Sequence, residues 1–460
     1  MTARYLPDLH VLAAEYRNGT RRCQDVVEAA IAGRNASFDP VGPYRSWDAD
    51  MVLQHAHLVS EAFRLGWDAG PLQGIPVSFK DLFACRGWRT FAGMAEPLSE
   101  DWEAEGTFVK NVRKQLPIVM GKTHTVELAF GGLGTNAHWG TPWNPWDRKV
   151  HRVPGGSSSG AGISLWEGSC LLAFGTDTAG SVRIPASMTG MAGLKTTVKR
   201  WPTDGVVPLS PSFDSVGILA RSVRDLAFAY EAIEAGLGRM DRVRSRDLVG
   251  VRLAVPRRFF CDNLSDGIDT AFEAGLHALE SAGAVLVPFE TSPAEQAYSI
   301  FVQGGLAGVE ALVFIEEFLP ERMNSLDPFV RDRIVSAAST PASEYLRRRH
   351  AFERLGKITW EAMESVDAIV TPTVALSAPA VSELQSVDSY RSSNLLALRN
   401  TSIANLLGLC ALSIPVGFDA LGLPVGLQLM GSPHREAHLL GLGLSVELAV
   451  GERSKLGIRN

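Results

Sequence analysis

The chain has 460 residues, of which 46% are apolar and 20% charged, and a formal net charge of −6, the composition of an ordinary soluble globular protein. That balance gives no general attraction to nucleic acid or anionic membranes, so neither is an expected partner. Its five cysteines, Cys23, Cys85, Cys170, Cys261 and Cys410, contain no CxxC pair; a disulfide framework or zinc site is not expected, and a reducing cytoplasm fits.

In chain order, the opening MTARYLPDLH lacks an apolar run and does not read as a secretory signal. Residues 1–70 read as a helical lead into a first buried strand at 75–79. Helical spacing follows at 102–115, then a short apolar strand at 118–120. The glycine-rich centre, 131–193, is interrupted by apolar runs such as 170–174, which a solvated linker would not carry. Ser222 with Asp225 marks a helix start, the aspartate standing in for the usual glutamate of a capping box. A strand at 251–255 precedes a helix from Ile268, with Phe272, Leu276 and Leu279 on one face and Gly283 as its stop. Another strand is expected at 284–289. The stretch 294–363 reads as mainly helical, with Arg347, Arg348 and Arg349 on a solvated face. Strands return at 368–371, 411–416 and 425–430. No run reaches the about 18 uninterrupted apolar residues of a membrane span; the nearest, 403–418, contains Asn405 and Pro415 and reads as core. Strands alternating with helices predict an α/β protein whose mixed sheet is covered on both faces.

Three segments carry chemistry. Gly74-Ile75-Pro76-Val77-Ser78-Phe79-Lys80-Asp81 ends an apolar strand on a lysine. Pro154-Gly155-Gly156-Ser157-Ser158-Ser159-Gly160 and Gly175-Thr176-Asp177-Thr178-Ala179-Gly180-Ser181-Val182-Arg183 are glycine–serine loops. Singly, they read as a snorkelling surface lysine and two tight turns. Together they answer the needs of amide hydrolysis: a nucleophile, a base for its proton and donors for the developing oxyanion. A lysine serves as base only when neutral, and burial lowers its pKa. A serine hydroxyl, which both donates and accepts, can relay the proton.

These segments resemble those of the amidase signature family, over about residues 72 to 431. The likeness extends to Gly121-Lys122-Thr123, Asn144-Pro145, Gly193-Leu194-Lys195 and Leu423-Pro424-Val425-Gly426-Leu427-Gln428. The resemblance implies an α/β/α sandwich with a large mixed central sheet, forming one amidase domain over 1–460. Residues 72–220 would be its catalytic core and 290–365 a variable helical region shaping the pocket. It implies Lys80 as base, Ser157 as a relay preceded by a cis peptide bond, and Ser181 as nucleophile. Thr178, Ala179 and Gly180 would form the oxyanion loop. Ser158 would join the hydrogen-bond network, Asp177 and Arg183 would brace the nucleophile loop, and Phe130 and Gly131 would line the acyl pocket. No cofactor or metal is implied; the expected partner is a small-molecule amide or carbamate, with the protein a monomer or homodimer.

The chain departs from common family spellings. Ser159 stands where a glycine is frequent, and DTAGS replaces DTGGS, so Ala179 is tolerated if its φ is not positive. Thr196 and Cys410 stand where proline is frequent. Other readings fail on particulars. Residues 156–160 fit a GxSxG elbow with Ser158 as nucleophile, but no turn signal selects His434 or His438 as its partner. The pair His434 and His438 would share a helical face as a metal pair but lacks a companion carboxylate. Gly121-Lys122-Thr123 ends like a phosphate loop, yet Leu116 stands where that loop needs glycine.

Within the family, the rivals are the glutamine-hydrolysing A subunit of a glutamyl-tRNA amidotransferase and a hydrolase of urea derivatives. The stretch 199–205 departs from the tyrosine-containing segment of the former, and the chain lacks room for the extra C-terminal domain of allophanate hydrolase. A non-catalytic scaffold is opposed by the intact lysine and serines. Phe130, Trp139, Trp143 and Trp146 suggest either an aromatic-accepting pocket or, for the tryptophans equally, core packing; the pocket reading points to a neutral aryl amide, anilide or carbamate as substrate.

Overall fold

The computed structural model describes residues 7–451, so most of the segment read against a secretory signal lies outside the described residues. Eleven strands form one mixed sheet. In chain order they are β1 (Tyr44–Trp47), β2 (Pro76–Lys80), β3 (Ile118–Thr123), β4 (Leu172–Asp177), β5 (Ala192–Lys195), β6 (Ser215–Ala220), β7 (Arg252–Val255), β8 (Val285–Pro288), β9 (Ala368–Pro372), β10 (Cys410–Phe418) and β11 (Pro424–Gly431). Across the sheet the order is β1-β3-β2-β4-β6-β5-β10-β11-β9-β7-β8.

Fourteen α-helices accompany them among the described residues: α1 (Leu9–Arg17), α2 (Cys23–Asn35), α3 (Ala49–Arg64), α4 (Thr107–Arg113), α5 (Ala161–Glu167), α6 (Arg183–Thr189), α7 (Val223–Gly236), α8 (Ile268–Ser281), α9 (Ser292–Val302), α10 (Ala307–Phe318), α11 (Pro328–Ser336), α12 (Ala342–Ala362), α13 (Val387–Leu406) and α14 (Glu436–Val450). Helix α14 packs on α7 and on α8, and all three pack on the central strands, while α5, α6 and α13 form a separate group against the sheet. This is the expected α/β/α sandwich.

The central strands are buried throughout, as covering both faces of a sheet demands. Phe79 of β2 stacks on Phe174 of β4 with ring centroids 4.6 Å apart; burying each such ring contributes about 1.5–3 kcal/mol. Strands β2 and β4 run parallel with Phe79 opposite Phe174. Lys80 and Asp177 therefore emerge at the same edge of the sheet, the carboxyl ends of parallel strands, where open α/β sheets place their sites.

Several local expectations are corrected. The predicted helix at 102–115 is a 3-10 turn, Glu100–Glu103, followed by the shorter α4. Ser222 caps α7 by accepting from the Asp225 amide, but the Asp225 carboxylate does not return the bond. It accepts instead from the Leu9 amide at 2.7 Å, tying α1 to α7. Arg348 is not solvated: it donates to Glu344 and to the Gly305 carbonyl, joining α12 to the turn between α9 and α10. His434 has φ +61° and lies before α14, so it shares no helical face with His438. A second apolar stretch, Ser292–Phe318, is helical and long enough by composition to cross a membrane. Gly304 and Gly305, both at positive φ, break it into α9 and α10, each too short to cross a hydrocarbon layer of about 30 Å.

Candidate active site

Lys80 is fully buried at the end of β2. Its Nζ donates to Ser157 Oγ at 2.7 Å and to Thr176 Oγ1 at 2.8 Å. Burial pushes the lysine down to about 7, against the nearby carboxylates of Asp214 and Asp177, which favour its charged form. At neutral pH a substantial fraction of Lys80 is therefore free amine, able to accept a proton from Ser157.

The Gly156–Ser157 peptide bond is cis. Ser157 and Ser158 are both fully buried, and the Ser158 amide donates to the Ser181 carbonyl at 3.2 Å, holding the two loops together. Ser158 Oγ donates to the Thr176 carbonyl at 3.5 Å. Ser159 Oγ is buried without a hydrogen-bond partner, so the hydroxyl that replaces the common glycine adds no link to the network. Ser181 is 4% exposed and lines a cavity of about 500 Å³. Its Oγ makes no hydrogen bond among the described residues, which leaves it free to meet a ligand entering that cavity.

Asp177 and Arg183 form a fully buried, two-point ion pair, Nε to Oδ2 at 3.1 Å and Nη2 to Oδ1 at 2.9 Å. Burial alone would raise the Asp177 carboxyl, but Arg183 and Lys195 together with hydrogen bonds hold it at about 2. The same carboxylate accepts from the Gly180 and Val182 amides, fixing the backbone on both sides of Ser181. The Gly180 amide, expected in the oxyanion loop, donates to Asp177 at 2.8 Å. The amides of Ala179 and Ser181 have no such partner among the described residues, and Thr178 and Ala179 line the cavity. Ala179 avoids positive φ, as its side chain requires.

Gly180 does need to be glycine. Its φ is +137°, and an added Cβ would lie 2.1 Å from Thr401 Oγ1, whose hydroxyl holds the Ala179 carbonyl. Gly180→Ala is expected to lower unfolding stability by about 1–3 kcal/mol and to reduce kcat by displacing the loop. Denaturant melts and initial rates on the same preparation check both effects.

Sequence reasoning missed several participants. Thr401, Asn405 and Gln428 take the remaining Arg183 donors at 2.7, 2.6 and 2.5 Å. Asp214 accepts from Thr178 Oγ1 at 2.5 Å and from the Leu209 and Ser210 amides. Lys122, part of a matched motif, forms a buried ion pair with Asp81 at 3.1 Å and lies outside the Lys80–Ser157 contact.

Phe130 and Gly131 line the cavity that contains Ser181. Leu128 and Ala129, at φ +50° and +58°, precede them, a placement that costs about 1–3 kcal/mol per residue and aims the Phe130 turn. The tryptophans, by contrast, are packed elsewhere. Trp139 donates to the Met94 carbonyl and stacks under Arg45, Trp143 lies flat on His151, and Trp146 donates to the Thr189 carbonyl. Aromatic walls are supplied instead by Phe130, Phe213, Phe301, Phe329 and Tyr390, largely from the 290–390 region.

A protein-family model described as Amidase matches residues 25–440. The chain is 46% identical over 447 residues to a 2-amino-5-chloromuconic acid deaminase of Comamonas testosteroni, covering 96% of this chain and 97% of that protein. It is 31% identical over 436 residues to the A subunit of the glutamyl-tRNA(Gln) amidotransferase of Symbiobacterium thermophilum, covering 86% and 87% of the two chains. A crystal structure of an amidase superposes with a TM-score of 0.86 at 29% identity, over 97% of this chain and 100% of the other.

Proposed function

The chain belongs to the amidase family and is a hydrolase of carbon–nitrogen bonds other than peptide bonds; on that premise we propose that it cleaves its substrate through Lys80, Ser157 and Ser181. The observation that carries this reading is the 2.7 Å contact of Lys80 Nζ with Ser157 Oγ, both residues being fully buried. Neutral Lys80 takes the Ser157 proton while Ser157 takes that of Ser181. Ser181 Oγ attacks the electrophilic carbon, and the Ala179 and Ser181 amides stabilise the negative charge that develops. The proton returns through Ser157 to the nitrogen, which leaves as ammonia or an amine. Water, deprotonated by the same route, then releases the acid from Ser181 and regenerates the hydroxyl.

The substrate we propose is small, with a planar conjugated or aryl group next to the scissile bond. The five aromatic rings of the cavity favour flat, unsaturated groups. The name of the Comamonas relative, a deaminase of an unsaturated amino acid, supports a reaction that releases ammonia. A panel of primary amides, p-nitroanilides and aryl carbamates tests this reading, with Ser181→Ala as control. Conjugated primary amides should exceed their saturated counterparts in kcat/KM by about 2- to 10-fold. A preference for flexible saturated amides would overturn the substrate class.

The reading as the glutamine-hydrolysing component of an amidotransferase rests on the 31% relative. At 199–205, where the sequence departs from such proteins, Arg200 is bound to Glu234, Asp241 and Tyr230, and Trp201 is buried against Glu234. That packing serves this chain's own core. Glutaminase activity dependent on added partner subunits would restore the reading.

A further inference from the structure

Two arginines line the same cavity as Ser181: Arg333 on α11 and Arg391 on α13. Neither forms an ion pair with an acidic side chain among the described residues. The Arg333 guanidinium lies 3.8 Å over the Phe130 ring, and its Nη1 donates to the Phe130 carbonyl at 2.8 Å. These contacts fix the head group beside the turn expected to line the acyl pocket and leave its other N–H groups without an acceptor among the described residues. Arg391 is exposed and makes no hydrogen bond among the described residues. The two charges sense each other: burial lowers the Arg333 pKa, Tyr390 partly offsets this, and the Arg391 charge lowers it further.

An arginine serving only to hold α11 in place would need the stacking and the single backbone bond, but not a second uncompensated arginine in the same cavity. Gathering two like charges beside aromatic walls is unfavourable until an anion joins them. One acidic side chain, Asp332, also lines the cavity. It lies outside ion-pair distance of both arginines and leaves their charge unneutralised.

We propose that Arg333 and Arg391 form a carboxylate-binding subsite, so that the substrates are small carboxylic acids carrying the scissile C–N group. Dicarboxylates would be bound better than monocarboxylates, and both better than neutral amides. Guanidinium groups suit this task because their fork of donors matches a carboxylate's two oxygens. The proposal rests on the reading of Ser181 as nucleophile only in placing the scissile bond; binding itself does not depend on it.

The test separates the two. Calorimetric titration of Ser181→Ala protein with adipate, an unreactive six-carbon dicarboxylate, reads the subsite without turnover. Adipate should bind, neutral adipamide should bind more weakly, and Arg391→Gln should weaken adipate by about 10- to 100-fold. Arg391→Lys should recover part of the loss. In active enzyme, Arg391→Gln should raise KM for the monoamide of a dicarboxylic acid by a similar factor, leave kcat nearly unchanged and leave a neutral amide unaffected. Arg333→Gln, checked for folding by its melting curve, should act in the same direction. Equal binding of adipate and adipamide, or an Arg391→Gln loss shared by neutral substrates, overturns the subsite. Acid-selective binding with turnover that survives Ser181→Ala would instead overturn the nucleophile assignment and leave the subsite standing.

Discussion

Ser181→Ala is expected to reduce amide turnover by about 10⁴-fold or more, because it removes the atom that forms the covalent intermediate. The structure makes this a clean experiment. Ser181 Oγ has no hydrogen bond to lose among the described residues, and the contacts that set the loop run through backbone: the Ser181 carbonyl accepts from Ser158, and Asp177 holds the Gly180 and Val182 amides. Folding stability should therefore stay within about 0.5 kcal/mol of the parent protein. The check is threefold: initial rates on a primary amide, a melting curve and covalent labelling by a fluorophosphonate probe. The parent should label and the variant should not. Full residual activity in a folded variant would remove Ser181 from the mechanism.

What can be read from the residues divides along a physical line. Local features are legible: β2 as a continuous apolar strand ending on Lys80, α8 from its apolar spacing and the Gly283 stop, and the loops around Ser157 and Ser181 from their glycines. Strand β1 is not. Tyr44–Trp47 is four residues long with two polar members, and it exists because it pairs antiparallel with β3 at the sheet edge. Nothing within those residues announces a partner so far along the chain.

The same limit explains Thr401, Asn405 and Gln428, which reach Arg183 from α13 and β11. Thr401 offers Arg183 only its backbone carbonyl, the Asn405 and Gln428 side chains are common in any helix or strand, and only the fold brings the three to one guanidinium. Asp214 is hidden similarly, as a turn residue whose meaning depends on Thr178. The tryptophans mislead for the converse reason. They lie near the central motif in sequence but not near the cavity, whose walls come largely from helices more than a hundred residues away. Chemistry concentrated in short glycine-rich loops is readable; a pocket assembled from distant helix faces is not.

Lys80 gives the second large effect. Lys80→Ala should lower amide turnover by about 10²- to 10⁴-fold, the usual worth of a positioned acid–base group, and should lower ester turnover less. An amine or ammonia leaves only after it gains a proton, which Lys80 returns through Ser157, whereas an activated ester expels a stable anion without one. The pH profile follows from the lysine's position. The protonated ammonium has no lone pair to accept the Ser157 proton, so wild-type kcat/KM should rise as pH increases through about 7 and level off above it. Burial sets this value by opposing the charged form, and the neighbouring carboxylates of Asp214 and Asp177 keep it from falling further. In Lys80→Ala the rise near neutrality should vanish from the residual rate. A limb that persisted in the variant would assign the ionisation to another group, and equal losses on amides and activated esters would contradict proton return to the leaving nitrogen.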